Sequence, residues 1–127
     1  MKLLLDTHIF LWWILEDPRL PLAASEVIAD SDNELYLSSA STWEMVIKSA
    51  IGKLSLPASP ATFIKDQLIL NEITPLPITI EHTFALASLP MLHKDPFDRM
   101  LIAQTNYENL TLVTDDPTIK KYHVNVL

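Results

Sequence analysis

The sequence has 127 residues, the length of one ordinary domain, and 49% of them are hydrophobic, which is sufficient for a buried core. No cysteine is present, which excludes disulfides, thiolate zinc sites and a cysteine nucleophile, and the single glycine excludes the glycine-rich phosphate loops of common ATPases and NAD enzymes. The formal net charge of −7 argues against a general basic surface for nucleic acids.

The apolar N-terminal segment predicts neither a membrane anchor nor a signal peptide. Asp6 and His8 interrupt it, no small-residue cleavage site follows, and no segment approaches the roughly 20 apolar residues that span a bilayer. We therefore expect a cytoplasmic protein without a membrane partner, and the absence of cysteine fits a reducing compartment.

Short apolar runs alternate with helical patterns along the chain. In order, the patterns predict a strand at residues 2–5, a helix from about Thr7, a helix at 22–30, a strand at 35–37, a helix at 42–51 ended by Gly52, a helix at 61–71, a strand at 74–78, a helix at 79–88, a helix from Pro96, a strand at 111–114 and an edge strand at 124–126. This alternation favours a single α/β domain with a mainly parallel central sheet and helices on both faces.

Asp6 stands directly after the first predicted strand, at the end of a sheet where α/β proteins bind ligands. Asp6 also suits the N-cap of the following helix, so a structural role and a functional role both remain open. The turn after the strand at 111–114 brings Asp115 and Asp116 to the same edge of a parallel sheet.

Glu44 lies in the first turn of the helix predicted at 42–51. The apolar stripe of this helix is expected to face the core, and its members are Trp43, Val46, Ile47 and Ala50. Glu44 stands beside that stripe. A structural alternative exists, because Ser41 and Glu44 have capping-box spacing and Lys48 follows Glu44 by four residues.

The segment HKDPFDRMLIAQ places two carboxylates and an arginine at the start of an apolar helix. Asp95 suits the N-cap and Pro96 the first helical position, so Asp98 falls in the first turn, where the helix opens to solvent. The structural alternative is that both acids cap the helix while Arg99 forms a surface ion pair with Asp95. We expect His93 to be solvent-facing or structural rather than a ligand.

Carboxylates from four separate segments can therefore meet at one rim of the sheet. Carboxylates within about 4 to 6 Å of one another repel, so such a cluster persists because a cation binds it. Oxygen ligands without histidine or cysteine select Mg²⁺ or Mn²⁺ over zinc. Two such ions can activate water and hold a phosphodiester, which predicts metal-dependent phosphodiester hydrolysis.

Five blocks of the sequence also match a known family: LLLDTHIFLWW, SSASTWEMVIKSAIGKL, HKDPFDRMLIAQ, LVTDDP and KKYHVNVL. Through these blocks the chain resembles PIN-domain ribonucleases, and specifically the VapC-like toxins of toxin–antitoxin pairs. The resemblance covers essentially the whole chain and implies a PIN-like three-layer α/β/α sandwich. Its second block and its DPFDR motif are fairly specific to one PIN subgroup, whereas the opening aspartate is a weak marker alone.

The resemblance also implies roles for individual residues. The four acids that it assigns to metal binding and catalysis are Asp6, Glu44, Asp98 and Asp116. The fourth acid is assigned to Asp116 over Asp115 because Thr-x-Asp is the commoner family spacing. Lesser candidates are Asp115, Asp95, Arg99 and the hydroxyl-bearing Thr7, Ser38 and Thr114. Among these, Asp95 is expected to orient Arg99 or to support the metal ligands.

The activity that the resemblance implies is that of an Mg²⁺- or Mn²⁺-dependent endoribonuclease. Such proteins are usually dimeric and are held inactive by a co-expressed small antitoxin, whose tail enters the acidic groove. Two bound Mg²⁺ ions would cancel the four nearest negative charges. Basic residues on segments near the rim could then receive RNA phosphates, and these are Lys48, Lys53, Lys94 and Arg99.

Three other classes of protein are compared with this interpretation. A receiver domain needs a phospho-accepting aspartate after its third strand and a lysine after its fifth, and neither is found. A haloacid-dehalogenase-type phosphatase needs Asp-x-Asp after the first strand, where this chain has Asp6, Thr7 and His8. The remaining alternative is a non-catalytic PIN-like binding module, but such a module would be free to lose the acids that this chain keeps.

Overall fold

A sheet of four strands forms the centre of the protein. The structure is a computed structural model that describes all 127 residues. In chain order the elements are β1 (Lys2–Leu5), α1 (Thr7–Ile14), α2 (Leu22–Ala29), β2 (Glu34–Ser38), α3 (Ser39–Ala50), α4 (Pro60–Leu70), β3 (Ile73–Leu76), α5 (Ile80–Ala85), α6 (Pro96–Tyr107) and β4 (Thr111–Val113). Short 3₁₀ helices lie at Leu86–Ser88 and Ile119–Lys121. The predicted α/β alternation is confirmed.

The strands lie in the order β3-β2-β1-β4, and every pair of neighbours is parallel. The carboxyl ends of the strands therefore meet at one rim. Strand β3 lies at the edge of the sheet, where a proline such as Pro75 is tolerated. The edge strand predicted at 124–126 is reduced to a single parallel bridge between Val126 and Leu112.

Side chains of β1 alternate between two cores on opposite faces of the sheet. Leu3 and Leu5 enter a cluster with residues of α1, α2 and α4, whereas Leu4 enters a second cluster with residues of α6. Helices therefore cover both faces, which gives the predicted three layers. None of the helices is both long enough and apolar enough to cross a membrane.

Helix α3 differs most from its prediction. It begins at Ser39 after the N-cap Ser38, and the capping box predicted from Ser41 to Glu44 is absent. The side chains expected to face the core are exposed, namely Trp43 at 59%, Val46 at 48% and Ile47 at 38%. The buried face consists of Ala40, Ser41, Glu44 and Met45. Small residues on this face permit close packing, so shape rather than hydrophobicity alone selects it.

Candidate active site

Asp6 connects β1 to α1 at the rim of the sheet. Its Oδ1 accepts the backbone N–H of Thr7 at 2.7 Å, so the predicted N-cap is present, and its Oδ2 accepts the hydroxyl of Thr114 at 2.6 Å. Burial raises the pKa of Asp6; the two hydrogen bonds oppose this rise, and the charge of Asp116 adds to it. Capping and membership of a charged cluster therefore coexist at this residue.

The other two candidate hydroxyl groups form hydrogen bonds with partners other than the candidate acids. Thr7 donates to the hydroxyl of Ser41 at 2.8 Å, which ties α1 to α3. The hydroxyl of Ser38 accepts the backbone N–H of Ala40 at 2.9 Å. Of the three hydroxyl groups singled out in the sequence, that of Thr114 is the one that donates to a candidate acid.

Asp98 lies in the first turn of α6, as predicted. Asp95 is the N-cap, and its Oδ1 accepts the backbone N–H groups of Phe97 at 2.8 Å and of Asp98 at 3.3 Å. The cap uses only the backbone N–H of Asp98, so the carboxylate of Asp98 is free to face the rim. Burial, together with the negative charges of Asp6, Asp95 and Glu44, raises the pKa of Asp98 to about 7.

His93 links two of the candidate acids. Its Nε2 lies 3.0 Å from Oδ2 of Asp98 and 3.1 Å from Oδ2 of Asp116, and the side chain is only 18% exposed. The ring is therefore not solvent-facing, which was one of the two alternatives expected from the sequence. Its Nδ1 accepts the backbone N–H of Asp95 at 3.1 Å, so in the neutral ring the proton is on Nε2 and is shared between the two carboxylates.

Asp116 and Asp115 have different surroundings. The backbone N–H of Asp116 donates to the hydroxyl of Thr114 at 3.1 Å, and its carboxylate accepts the backbone N–H of Thr118 at 2.8 Å. Burial opposes ionisation of Asp116, but the hydrogen bonds from His93 and Thr118 outweigh it and lower the pKa. Asp115 is exposed and lines a separate cleft beside α2, so the structure brings only Asp116 next to His93.

Glu44 reaches the rim from the buried face of α3. It is 6% exposed, and its Oε2 lies 2.9 Å from Nζ of Lys48. The favourable pair at i and i+4 is therefore present. The negative charge of Glu44 also raises the pKa of Asp98, so Glu44 belongs to the same electrostatic cluster while it is paired with a lysine.

Arg99 does not form the expected pair with Asp95. Its Nη1 donates to the carbonyl of Pro90 at 2.8 Å and to the hydroxyl of Tyr122 at 3.3 Å, and its Nη2 donates to the carbonyl of Leu86 at 3.4 Å. No carboxylate lies within ion-pair distance of this guanidinium. The ion pair that belonged to the structural alternative is therefore absent, because two backbone carbonyl groups and the Tyr122 hydroxyl occupy the guanidinium.

The sequence did not predict that His93 contacts two candidate acids, or that Tyr122 holds the loop that carries His93. The Tyr122 hydroxyl accepts the backbone N–H groups of Leu92 at 3.0 Å and of His93 at 2.7 Å, so it holds the loop that carries the imidazole. A usable signal for His93 was its position two residues before the cap Asp95. Tyr122 had no local signal, because it lies 29 residues from His93 and meets it only through the fold.

The donor set fits a hard divalent cation. The candidate acids offer carboxylate oxygens only, which are the ligands that Mg²⁺ and Mn²⁺ prefer. Neighbouring carboxylates surround Asp98 with negative charge, and no lysine or arginine forms an ion pair with it. Potential ligand atoms of His93, Asp98 and Asp116 lie within 4.8 Å of one another. Because Nε2 of His93 carries the donated proton, the carboxylate oxygens are the available ligands of this group.

Comparisons with known proteins identify the family and the fold. A profile of the PIN domain family matches residues 3–125. The chain is 28% identical over 120 residues to Ribonuclease VapC22 of Mycobacterium tuberculosis, a match that covers 94% of this chain and 90% of that protein.

Two solved structures share the whole architecture. The crystal structure of VapBC2 from Rickettsia felis, bound to a DNA fragment from their promoter, superposes with a TM-score of 0.74 at 19% identity and covers 100% of this chain and 98% of that chain. The structure of VapBC-1 from nontypeable Haemophilus influenzae gives a TM-score of 0.66 at 18% identity, with 100% and 97% covered. The predicted PIN-like fold is confirmed.

Proposed function

Because the chain belongs to the PIN domain family, we propose that it is an endoribonuclease that hydrolyses RNA phosphodiester bonds with Mg²⁺ or Mn²⁺. The similarity to a ribonuclease from M. tuberculosis supports the reaction class. The observation that carries the metal dependence is geometric: carboxylate oxygens of Asp98 and Asp116 lie within 4.8 Å of each other, where they repel, and Asp98 has no lysine or arginine partner. A divalent cation relieves this repulsion.

The acids proposed to hold the metal and to carry catalysis are Asp6, Glu44, Asp98 and Asp116. When bound, Mg²⁺ or Mn²⁺ supplies an activated water and stabilises the leaving oxygen. Among the lesser candidates, the hydroxyl of Thr114 orients Asp6. Asp95 positions Asp98 through the cap of α6.

His93 is proposed to position two of the ligands. Its Nε2–H, fixed by the contact of Nδ1 with the Asp95 backbone, faces Asp98 and Asp116 together. Tyr122 holds the loop below the ring. Hydrogen bonds of this kind orient ligating carboxylates, and their loss typically costs 10- to 100-fold in metal affinity or activity.

Incubation of labelled RNA with the purified protein tests the proposal. We expect cleavage with Mg²⁺ or Mn²⁺ and none in EDTA. Asp6→Asn and Asp98→Asn should remove cleavage while circular dichroism still shows a folded protein. Asp115→Asn is the matched control, because Asp115 is an exposed acid outside the cluster, and it should cleave normally. Undiminished cleavage in EDTA, or full activity in both cluster variants, would contradict the metal-dependent reaction.

The alternative is a non-catalytic PIN-like module that binds RNA or protein. The retention of all four acids at one rim supports catalysis over this alternative, since binding alone does not require them. RNA binding without any cleavage under all metal conditions would favour the module instead.

We also propose that the protein is the toxin of a toxin–antitoxin pair and acts as a homodimer. The solved neighbours are VapBC complexes, which supports a small antitoxin partner. Exposed apolar side chains on α3, namely Trp43 and Val46, offer surface for protein contacts. Expression alone should arrest growth, an adjacent short reading frame should relieve the arrest, and sedimentation should give a dimer. Harmless expression of the active protein would contradict the toxin role, and a monomer would contradict the dimer.

A further inference from the structure

We infer that the cleft between α3 and the start of α6 is a subsite for one nucleotide of single-stranded RNA, next to the cleaved phosphodiester. This inference rests on the proposed ribonuclease function. The cleft has a volume of about 390 Å³ and opens beside Glu44 and Asp95. Glu44 is one of the four proposed metal ligands, and Asp95 caps the helix turn that carries Asp98, so the cleft adjoins the acidic cluster directly.

The rim of the cleft concentrates positive charge on an acidic protein. It contains Lys48, Lys53 and Lys94, whereas the whole chain has nine lysine and arginine residues and a net charge of −7. Lys53 and Lys94 are exposed and form no ion pair. Arg99 is not part of this rim, because backbone carbonyl groups and Tyr122 occupy its guanidinium. Two free ammonium groups are therefore available to phosphates.

Two lysines of the rim also line a second cleft. Lys48 and Lys53 stand there with His8, Trp12, Arg19 and Asp17, and Asp17 pairs with the guanidinium of Arg19 at 2.7 Å. In that cleft the guanidinium of Arg19 lies 5.4 Å from the ring centroid of Trp12. Cationic groups beside aromatic rings, arranged along a groove, are typical of surfaces that track a single strand. Lys48 is paired with Glu44, so Lys53 is the cation that is free of ion pairs in this cleft, and it extends the positive edge of the first cleft available to phosphates.

The first cleft also has apolar lining residues. They are Ile47, Ile51, Pro96 and Phe97. Ile51 is 59% exposed, and Phe97 packs edge-on against Trp43 with ring centroids 5.1 Å apart. Apolar side chains beside free lysines suit a nucleobase together with its flanking phosphates. A base that is stacked and paired in a duplex is not available to such side chains, which favours single-stranded RNA.

Fluorescence anisotropy of a labelled single-stranded RNA tests the subsite. The protein carries Asp98→Asn to prevent cleavage, and the buffer contains millimolar Mg²⁺. Lys53→Gln and Lys94→Gln should each weaken binding roughly 3-fold, and the double variant about 10-fold. Each substitution should also reduce the slope of log K against log salt by about 0.7. The matched control is Lys65→Gln on α4, which makes the same charge change in an apolar groove between α3 and α4.

The outcomes separate this inference from the proposed function. Binding that is equal in all the lysine variants, or absent from the parent protein, overturns the subsite even if the wild type cleaves RNA. Loss of binding in the cleft variants supports the subsite even if the wild type proves not to cleave. A duplex of the same sequence that binds as tightly contradicts the single-stranded assignment. An acidic peptide that outcompetes RNA, with the same dependence on Lys53 and Lys94, assigns the cleft to a protein partner and overturns the inference.

Discussion

Glu44 and Asp98 face the same rim from two helices, but their charges are balanced differently. Glu44, on α3, is buried and paired with Lys48 at 2.9 Å. Asp98, on α6, has no basic partner of this kind; its charged surroundings are mainly other carboxylates, and its pKa is about 7. The contact that Asp98 does make is with Nε2 of His93 at 3.0 Å.

This difference shows where a bound cation has the larger effect. On the α3 side the chain supplies its own positive charge, so removal of the metal leaves Glu44 compensated. On the α6 side the carboxylates of Asp6, Asp95 and Glu44 act on Asp98 without such compensation. The metal-free protein is therefore strained mainly at Asp98, and the following variants test this asymmetry.

Asp98→Asn should have the largest effect on activity. It removes a proposed metal ligand, so we expect RNA cleavage to fall by more than about 100-fold, beyond the loss typical of a supporting residue. Because the substitution also relieves repulsion, the variant in EDTA should melt no lower than the wild type. Cleavage assays and thermal melts on the same preparation measure both effects. An active variant, or one that melts several degrees lower in EDTA, would contradict the assignment.

His93 offers the next largest effect. His93→Leu removes the Nε2–H donor between Asp98 and Asp116, and cleavage should fall by about 10- to 100-fold. His93→Gln retains an N–H donor of similar reach and should recover part of the activity. Magnesium titration of both variants should show the same order in affinity. Equal losses in the two variants would show that the ring matters only for packing.

The pH dependence should follow Asp98. Its pKa rises from 3.8 to about 7 on folding, so the folded metal-free protein holds this proton more tightly than the unfolded chain does. The stability that results is complete below about pH 4 and is lost as the pH rises through 7. Magnesium needs the ionised carboxylate, so its affinity should rise about tenfold between pH 6 and pH 8.

Calorimetric Mg²⁺ titrations of the wild type across this range measure the pH effect, with Asp115→Asn as the control. This variant should keep the same dependence, since Asp115 is an exposed acid outside the cluster. A wild-type affinity that is flat between pH 6 and pH 8 would show that Asp98 does not titrate in the metal site.

The fold could be predicted from the sequence further than the site could. Unbroken apolar strands and the Asp95-Pro96 helix start are local patterns, and the structure has both. The buried face of α3 was predicted incorrectly because its most apolar stripe is exposed, and packing selects the face that carries the small residues Ala40 and Ser41. The placement of His93 depends on Tyr122, a contact made by the fold and therefore not readable from local spacing.

The smallest effect is expected at Glu44, on the α3 side of the rim. Glu44→Gln should also impair cleavage, but in EDTA it breaks the pair with Lys48 and should lower the free energy of unfolding by up to about 1 kcal/mol. Lys48 is partly exposed, which limits the loss. Urea unfolding of Glu44→Gln beside Asp98→Asn measures the contrast. If Glu44→Gln is stabilised in EDTA as much as Asp98→Asn, the two sides of the rim are equivalent.

Thermal melting of the wild type and of Asp98→Asn, each in EDTA and in excess Mg²⁺, tests the central claim most directly. A tenfold excess of Mg²⁺ over its dissociation constant stabilises the native state by about 1.4 kcal/mol, which corresponds to a rise of roughly 5 °C for a chain of this size. We predict that the wild type gains this rise and that Asp98→Asn gains much less, while the variant melts as high as the wild type in EDTA. A wild type indifferent to Mg²⁺, together with a variant that melts lower in EDTA, would contradict the metal site and leave these carboxylates with structural roles only.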